Sequence, residues 1–422
     1  MSDKKHLTEQ RFDQLGLDDR ILQGVNETGF EYCTPIQAET LPIALAGKDI
    51  AGQAQTGTGK TAAFLLATFQ RLLKDEGAPG KQPRAMIIAP TRELAIQIFD
   101  DACQLGKHTG LRMAVAYGGT GYDKQRTTIE QGVDILIGTP GRLIDYFKKH
   151  VYNLRDLKVM VVDEADRMFD LGFIDDIRYM FRRMPPPDKR LNLLFSATLS
   201  FKVTELAYEH MNEPTKVKIE AEKVTADKVK QTVYYTANSE KLPILINLIK
   251  SHDADRTIIF ANTKRVVEKI WAHLEGNGIQ SAILSGDVPQ VKRQALLKRF
   301  QQGELPILVA TDVAARGLHI TGVSHVFNFD LPVDAEDYVH RIGRTARAGA
   351  SGDAISFACE DYSYSLPDIE AYIKHKIDNE PVSNELLAKI EPPVKIKRAP
   401  RSNTPRNKQQ GNHSSRNRTP RR

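Results

Sequence analysis

The 422-residue sequence predicts an α/β protein with two parallel sheets in series and a disordered, basic C-terminal tail. The chain is longer than the ~250–300 residues that a single hydrophobic core supports, so two domains are expected. Short, continuous apolar runs alternate with amphipathic stretches, which is typical of buried parallel strands joined by helices. This alternation stops after Pro392, where Arg, Asn, Pro, Ser and Gln take over.

The apolar runs fall into two series, each of which we interpret as one sheet. The first series consists of Ala85–Ala89, Ile135–Gly138, Val159–Val162 and Leu193–Ser196. The second consists of Thr257–Ala261, Ile307–Ala310, Val326–Phe329 and Ala354–Ala358. Each run has the length of a strand and is too short for a buried helix. Two α/β units are therefore the simplest prediction.

A polar, charged segment near residues 213–231 marks the predicted boundary between the two units. The predicted parts are a first domain (1–215), a linker (216–231), a second domain (232–378), a C-terminal extension (379–394) and a tail (395–422). The tail contains no aromatic residue, so it cannot bury a core, and we expect it to be disordered.

The charge of the chain is divided unevenly along its length. The net charge is +6, and residues 395–422 contain ten Lys or Arg residues and no acid. Subtracting these ten charges leaves −4 for residues 1–394. A basic tail on a mildly acidic body suits a polyanionic partner, although a purely solubilising tail is an equally good interpretation.

Composition excludes several classes of protein. With 41% apolar and 27% charged residues, the chain is typical of a globular protein and not of a fibrous or wholly disordered one. The N-terminal residues lack an apolar core, and no run reaches the ~18 apolar residues of a spanning helix, so we expect a cytoplasmic protein without a membrane segment. Cys33, Cys103 and Cys359 share no metal-ligand spacing, so we interpret them as free thiols.

A glycine-rich loop has the pattern of a phosphate-binding site. It consists of Ala54, Gln55, Thr56, Gly57, Thr58, Gly59, Lys60 and Thr61. The loop lies between an apolar stretch and a helical one, as this motif requires. Its backbone N–H groups can surround a phosphate, Lys60 can reach the β and γ phosphates, and the Thr61 hydroxyl can hold Mg²⁺.

Two acids follow the apolar run that ends at Val162. We expect Asp163 to hold Mg²⁺ and Glu164 to orient and deprotonate an attacking water, because the carboxyl edge of a parallel sheet is where such chemistry is placed. Taken alone, residues 163–166 fit the solvated first turn of a helix about as well as they fit a catalytic site. The phosphate-binding loop upstream favours the catalytic interpretation.

Taken together, the motifs over residues 12–378 resemble the DEAD-box ATP-dependent RNA helicases of superfamily 2. The resemblance implies two tandem RecA-like domains flanked by helices, with ATP and Mg²⁺ as cofactors and RNA as partner. It also implies an RNA-stimulated ATPase that unwinds short RNA duplexes. Phe12, Thr34 and Gln37 match the adenine-reading motif, in which a Gln amide can both donate and accept and an aromatic ring can stack on the base. Cys33 replaces the usual proline of that motif.

The resemblance assigns further roles by position. Catalysis falls to Glu164, Asp163 and Lys60 together with Arg344 and Arg347, whose guanidinium groups suit the charge that develops in phosphoryl transfer. By the same resemblance, the residues expected to couple hydrolysis to strand separation are Ser196, Ala197, Thr198, Asp166 and His340. His319 stands where most members have Asp, so we expect an altered contact with the nucleotide ribose.

Expected RNA contacts come from both halves and suit the sugar-phosphate backbone better than the bases. They are Pro90, Thr91, Arg92, Gly118, Gly119, Thr139, Pro140, Gly141, Arg142, Asn262, Thr263, Gln290, Arg293, Thr311 and Asp312.

Finer details resemble the bacterial branch of the family that works in RNA degradation. These details are the segments Tyr117–Gln125 and Asp166–Pro185, His319 after Ala-Arg-Gly-Leu, the compact length and the short Arg-rich tail. The resemblance implies a partner, the ribonuclease E scaffold of the degradosome, and a monomer within a larger complex.

Two alternatives stay open at this point, a DNA-directed superfamily 2 helicase and a partner-activated RNA clamp or remodeller. The adenine-reading motif and the acidic tetrapeptide disfavour the first alternative. Intact Lys60, Glu164, Arg344 and Arg347 disfavour a clamp built on an inactive ATPase.

Overall fold

A computed structural model of the protein describes residues 7–54, 57–74, 80–219, 229–251, 256–286, 288–315, 323–345 and 352–395. These residues form two α/β halves, each built around a seven-stranded sheet whose named strand pairs are all parallel. The predicted fold class is confirmed. The tail, which we predicted to be disordered, lies outside the described ranges from residue 396 onward. Gln55, Thr56, His319 and Arg347 also lie outside them.

The first sheet has the strand order β3-β4-β2-β5-β6-β1-β7. Its strands are β1 (Ile50–Gln53), β2 (Ala85–Ile88), β3 (Met113–Ala116), β4 (Ile135–Gly138), β5 (Val159–Val162), β6 (Leu191–Ser196) and β7 (Thr215–Lys218). The four predicted strands of this half are all present. The edge strand β7 pairs with β1, so the sheet continues to Lys218, within the segment predicted as linker.

Helices cover both faces of this sheet because its central strands are apolar on both sides. Ile87 belongs to one core cluster, whereas its neighbours Met86 and Ile88 belong to another. The helices are α1 (Asp19–Glu27), α2 (Pro35–Leu45), α3 (Lys60–Leu73), α4 (Arg92–Leu105), α5 (Tyr122–Glu130), α6 (Pro140–Lys148), α7 (Ala165–Asp170), α8 (Ile174–Phe181) and α9 (Phe201–His210). Short 3₁₀ helices span Phe12–Leu15 and Pro187–Lys189.

The second sheet has the order β10-β11-β9-β12-β13-β8-β14. Its strands are β8 (Val229–Tyr235), β9 (Thr257–Phe260), β10 (Ser281–Leu284), β11 (Ile307–Ala310), β12 (His325–Asn328), β13 (Gly352–Ala358) and β14 (Asp378–Asn379). The helices are α10 (Lys241–Ser251), α11 (Lys264–Gly276), α12 (Gln290–Gln301), α13 (Asp312–Ala315), α14 (Ala335–Ile342) and α15 (Leu366–Ile373), with a 3₁₀ turn at Ser363–Ser365. The four predicted strands of this half are also present.

Parallel topology determines where functional side chains collect. In each half, the carboxyl ends of all paired strands meet at one edge of the sheet. The loops after β1, β2, β4, β5 and β6 therefore come together in the first half, and those after β9 and β11 do so in the second. The phosphate-binding loop, the acid pair, Pro90–Arg92, Thr139–Arg142, Ser196–Thr198, Asn262–Thr263 and Thr311–Asp312 lie on or beside these loops.

Candidate active site and nucleic-acid interface

The glycine-rich loop connects β1 to the start of α3. Gly57 and Gly59 have φ angles of 84° and 89°, a region that favours glycine. A Cβ on Gly59 would also lie 2.4 Å from Nε2 of Gln37, so no larger residue fits there. Lys60 is buried, and its Nζ donates a hydrogen bond to the Ala54 carbonyl oxygen over 2.8 Å. The loop is thus a tight cradle with the lysine folded across it.

Gln37 braces this cradle from α2. Its Oε1 accepts a hydrogen bond from the Thr34 backbone N–H over 2.8 Å, and its Nε2 donates to the Gly59 carbonyl oxygen over 3.0 Å. A primary amide has two donor hydrogens and two lone pairs, so these bonds use half of its capacity. Gln37 therefore connects the predicted adenine-reading motif to the phosphate-binding loop.

The aromatic residue that reaches this region is not the one expected. Phe12, predicted to stack on a base, is only 2% exposed and lies within the core. Its ring packs against Phe30, with centroids 6.4 Å apart and an angle of 23° between the planes. Phe30 is 45% exposed and lines the first cavity described below. The structure thus places Phe12 behind Phe30 and not at the cavity wall.

The first cavity, of about 870 Å³, lies between the two halves. Lys60, Thr61, Asp163 and Glu164 line it from the first half, and Arg344 lines it from the second. These five predicted residues, from two separate domains, are therefore brought to one place.

Both acids are buried at the end of β5. Burial raises the pKa of Asp163 to about 6, although the nearby Lys60 ammonium opposes the shift. Its Oδ1 accepts a hydrogen bond from the Glu164 N–H over 2.9 Å. Glu164 has a φ of 51°, an uncommon conformation for a non-glycine residue.

The donor set in the first cavity fits Mg²⁺ bound together with a phosphate ligand. Among the described residues, no group of three or more His, Cys, Asp or Glu side chains could hold a metal ion. An ion here would therefore take most of its ligands from phosphates and water, which is how Mg²⁺ is usually bound. Asp163 and Thr61 supply the carboxylate and hydroxyl oxygens that such an ion needs.

Asp166 connects the acidic segment to the loop after β6. Its Oδ2 accepts hydrogen bonds from the backbone N–H groups of Ala197 and Thr198, both over 3.0 Å. The Asp166 N–H in turn donates to Ser196 Oγ over 3.1 Å. All four residues of the first half that were predicted to couple hydrolysis to strand separation thus form one hydrogen-bonded group.

A second cavity, of about 690 Å³, opens beside this group. It is lined by Asp166 and Thr198 from the first half and by His340 and Arg344 from the second. Arg344 is 5% exposed, and its Nε donates to the His340 carbonyl oxygen over 3.3 Å. Lys60, Glu164 and Arg344 line both cavities, and Arg344 is the one of the three that comes from the second half.

A third cavity, of about 760 Å³, collects eight of the residues predicted to contact RNA. They are Pro90, Thr91, Arg92, Gly118, Thr139, Gly141, Arg142 and Arg293. A Cβ on Gly119 would lie 2.3 Å from Nη1 of Arg92, so the glycine makes room for that guanidinium. Arg142 lies over the Tyr122 ring, with 4.8 Å between Cζ and the centroid.

Other predicted RNA contacts lie elsewhere. Pro140 is buried at the start of α6. Asn262, Thr263, Thr311 and Asp312 follow the carboxyl ends of β9 and β11 and do not line the third cavity. Gln290 is the first residue of α12.

Arg341, which the sequence analysis passed over, organises that edge of the second sheet. Its guanidinium donates to both carboxylate oxygens of Asp312 over 2.7 Å and to Oδ1 of Asn262 over 2.7 Å. Arg341 is 1% exposed. Its position in an arginine-rich segment gave no sign of burial, because arginine clusters are usually solvated.

Glu93 was also missed. It forms an ion pair with Arg293 across the two halves, with Oε1 and Nε 3.1 Å apart. Both side chains are mostly buried, at 14% and 13% exposure. A glutamate in a helical first turn carries no sequence signal for a partner in another domain.

Comparison with known proteins places the chain in a family. The DEAD/DEAH box helicase model matches residues 34–206, and the helicase conserved C-terminal domain model matches residues 240–349. The ATP-dependent RNA helicase RhlB of Vibrio campbellii is 58% identical over 406 residues, covering 94% of this chain and 92% of that protein. The protein of the same name from Aliivibrio fischeri is 56% identical over 426 residues, covering 99% of each.

Solved structures agree with these relatives. Dbp5 of S. cerevisiae bound to RNA and ADP BeF3 is 31% identical and superimposes with a TM-score of 0.77, covering 88% of this chain and 96% of that one. Mss116p bound to ssRNA and AMP-PNP is 30% identical with a TM-score of 0.78, covering 91% and 82%. Among the described residues, no helix combines the length and apolar character needed to span a bilayer. The chain belongs to the DEAD-box family of ATP-dependent RNA helicases, which are RNA-dependent ATPases.

Proposed function

We propose that this helicase hydrolyses ATP in the first cavity while RNA occupies the third cavity, and that closure of the two domains couples hydrolysis to RNA binding. The observation that carries the proposal is the position of Arg344. This residue of the second domain lines the same cavity as Lys60, Asp163 and Glu164 of the first. Neither domain supplies the whole set, so hydrolysis depends on how the domains are held together.

The nucleotide is assigned to the loop of residues 54–61 and to the side chains that brace it. Lys60 binds the β and γ phosphates, while Thr61 and Asp163 hold Mg²⁺, which when bound neutralises phosphate charge. Glu164 accepts a proton from the attacking water. Arg344 and Arg347 stabilise the charge that develops on the transferred phosphoryl group.

The adenine base is assigned to Gln37 and Phe30. Gln37 lines the first cavity and retains hydrogen-bonding capacity after bracing the loop. Phe30 offers the exposed ring, and Phe12 supports it from below. We assign Phe12 a supporting role in place of the direct base contact predicted from sequence.

RNA is assigned to the third cavity and to the adjoining edge of the second sheet. The arginines and backbone turns there suit phosphates and 2′-hydroxyls, so sequence preference should be weak and RNA preferred to DNA. The group formed by Ser196, Ala197, Thr198 and Asp166 faces His340 across the second cavity, which supports a coupling role.

The basic tail and the partner belong to the same proposal. Ten positive charges without an acid support a salt-dependent contribution of the tail to RNA affinity. Similarity to the bacterial RNA-degradation branch supports a cytoplasmic role beside a partner ribonuclease, the ribonuclease E scaffold. Co-purification of that scaffold with the full chain tests the partnership, and its absence would leave a partner-independent helicase.

The decisive experiment measures ATP hydrolysis without nucleic acid, with single-stranded RNA and with DNA of the same sequence. We expect stimulation by RNA alone and a loss of about 100-fold or more in Glu164→Gln, because a general base is removed. Glu130→Gln is the matched control, since Glu130 is exposed at the end of α5 and forms a surface ion pair with Arg126. Equal stimulation by DNA would favour the DNA-directed alternative. Negligible hydrolysis in all three conditions would favour the partner-activated clamp.

A further inference from the structure

The second cavity runs from the phosphate end of the first cavity to the surface of the protein. The two cavities adjoin at Lys60, Glu164 and Arg344, whose side chains are all buried. At its other end the second cavity is lined by Lys202 and Asp334, which are both exposed. It is therefore a passage that connects buried, phosphate-binding side chains to solvent.

The orientation proposed for ATP places its γ-phosphate at the inner end of this passage. Phe30 and Gln37, to which the base is assigned, line the first cavity and are absent from the lining of the second. The phosphate chain therefore extends from them toward Lys60 and Glu164. In phosphoryl transfer the attacking and leaving oxygens are roughly in line, so water approaches the γ-phosphate on the side away from ADP.

After hydrolysis, this geometry leaves the free phosphate between ADP and the second cavity. To leave through the first cavity, the phosphate would have to pass the β-phosphate of ADP, which carries the same sign of charge. The second cavity offers a way out that avoids ADP.

The charges along the second cavity differ between its two walls. Asp334, Glu336 and Asp337, at the start of α14, make the wall of the second domain acidic. Lys202, in the first turn of α9, adds a positive charge to the wall of the first domain. The other ionisable side chains that line the cavity outside its inner end are Asp166, Arg167, Asp170 and His340.

An anion that leaves the inner end of the second cavity must therefore pass the acids of α14. Like charges raise the free energy of the anion along this path, whereas Lys202 lowers it. The acids belong to the second domain and the phosphate-binding loop belongs to the first. Separation of the two domains would thus move the repelling charges away from the phosphate.

We propose that the second cavity is the exit route of inorganic phosphate, and that the acids of α14 are an electrostatic gate that retains the phosphate until the domains separate. The inference rests on the proposed assignment of ATP hydrolysis to the first cavity. It gives the start of α14 a role in the timing of product release. Such a role is separate from cleavage, because product release is often a distinct and slower step.

Two charge changes at the mouth of the second cavity should act in opposite directions. Asp334→Asn removes an acid whose side chain does not cap α14, and asparagine is as good a residue as aspartate before a helix. It should speed phosphate release. Lys202→Glu adds an acid in the first turn of α9, where the helix dipole favours negative charge. It should slow release.

Matched controls make the same changes of charge away from the second cavity. Asp188→Asn and Lys189→Glu alter an exposed pair on the 3₁₀ helix Pro187–Lys189, and neither residue lines that cavity. Both controls should release phosphate at the parent rate.

The measurement compares cleavage with phosphate release in a single turnover of the full chain with saturating RNA. Chemical quench gives the rate of cleavage, and a fluorescent phosphate-binding sensor in a stopped-flow instrument gives the rate of release. We expect release to change by about threefold or more in opposite directions in the two variants, because charges that line a cleft alter the passage of ions. Cleavage should stay at the parent rate.

Oxygen exchange provides a second readout that a damaged fold would not produce. In ¹⁸O-labelled water, a phosphate that is held longer beside ADP re-forms ATP more often and gains more oxygen atoms from water before it leaves. The released phosphate should therefore carry more ¹⁸O in Lys202→Glu than in Asp334→Asn.

Two results would overturn the inference. Equal changes in cleavage and in release would mean that these charges act on domain closure and not on the exit of phosphate. Unchanged release and unchanged ¹⁸O content in both variants would mean that phosphate leaves by another path, and would leave the ATPase assignment standing. Failure of the ATPase assignment itself is distinguishable, because the parent chain would then show no RNA-stimulated cleavage.

Discussion

At the scale of single residues, we propose that two stacked aromatic rings share the base-binding role that the sequence analysis assigned to Phe12 alone. Phe12 and Phe30 both precede the glycine-rich loop, and both are aromatic, so the sequence could not tell a base contact from a supporting ring. Burial separates them: Phe12 is 2% exposed and Phe30 is 45% exposed. An aromatic side chain stacks on a ligand only where its face reaches the cavity.

Alanine substitutions of the two rings should therefore give different results. Phe30→Ala is expected to raise KM for ATP several-fold with little change in kcat. The ring would contact the base equally in the ground state and in the transition state, so its loss weakens both by the same amount. Phe12→Ala should instead lower the free energy of unfolding by about 3 kcal/mol or more, as for other buried phenylalanines. ATPase kinetics and chemical denaturation measure the two effects. A raised KM in Phe12→Ala with unchanged stability would reverse the assignment.

At the scale of elements, one carboxylate ties together the starts of three strands. Asp134, directly before β4, is paired with Arg84, before β2, and with Arg112, before β3; the distances are 3.1 and 3.0 Å. Its side chain is 2% exposed. Burial alone would raise the pKa of Asp134, but hydrogen bonds from Arg112 and Arg84 outweigh it and the pKa is lowered. This group of Asp134, Arg84 and Arg112 lies at the edge of the sheet opposite the three cavities.

Removing this charge should destabilise the first domain. Asp134→Asn is expected to lower its free energy of unfolding by about 3 kcal/mol at pH 7, because two guanidinium groups lose their buried partner. A lowered pKa means that the contribution is complete above the unfolded value of about 3.9 and is lost as the pH falls through the folded value. The deficit of the variant should therefore shrink below about pH 4.

Guanidinium denaturation at several pH values provides the measurement. Asp188→Asn is the control, since Asp188 and its partner Lys189 are exposed, and it should change stability by less than about 0.5 kcal/mol. A deficit that stays constant down to pH 3 would contradict the assignment to an ionised carboxylate.

At the scale of the whole molecule, the active site is a property of two domains in contact. Arg344 of the second domain lines the first and second cavities beside Lys60 and Glu164 of the first, and the Glu93–Arg293 ion pair crosses the same junction. In the proposed mechanism, both features align the domains so that the second supplies charge to phosphates held by the first. RNA binding would then control hydrolysis, because RNA and nucleotide would both favour the closed pair of domains.

Arg344→Ala should separate nucleotide binding from hydrolysis. Binding of an ATP analogue to the first domain is expected to persist, whereas RNA-stimulated hydrolysis should fall by about 1,000-fold, the scale at which arginine fingers act. Steady-state ATPase rates and fluorescent-nucleotide titration check the two halves of the prediction. Arg299→Ala, an exposed arginine of α12 paired with Glu304, should change neither. Retention of full hydrolysis by Arg344→Ala would remove the second domain from the catalytic set.

Most strands buried on both faces were predicted from the sequence, whereas the buried β1 was noted only as an apolar stretch before the glycine-rich loop. All eight predicted runs are strands, because a strand covered by helices on both sides must be continuously apolar. The strands β3, β7, β10 and β14 were missed, and each is at least partly exposed. β7 and β14 contain charged residues, whereas β3 is an apolar run that the prediction did not include. β8 was missed for another reason, because Lys230 and Gln231 made its beginning look like linker.

The sequence by itself determined the family, the phosphate-binding loop, the acid pair and the two-sheet architecture. These depend on residue type at short spacing, which the linear chain carries directly. Only the tertiary structure decided which aromatic ring lines the first cavity, that Arg341 is buried with Asn262 and Asp312, and that Glu93 pairs with Arg293. It alone showed that residues 380–394 pack along α10 and the end of α11. Each of these joins residues far apart in the chain, and their proximity follows from packing, which local spacing does not encode.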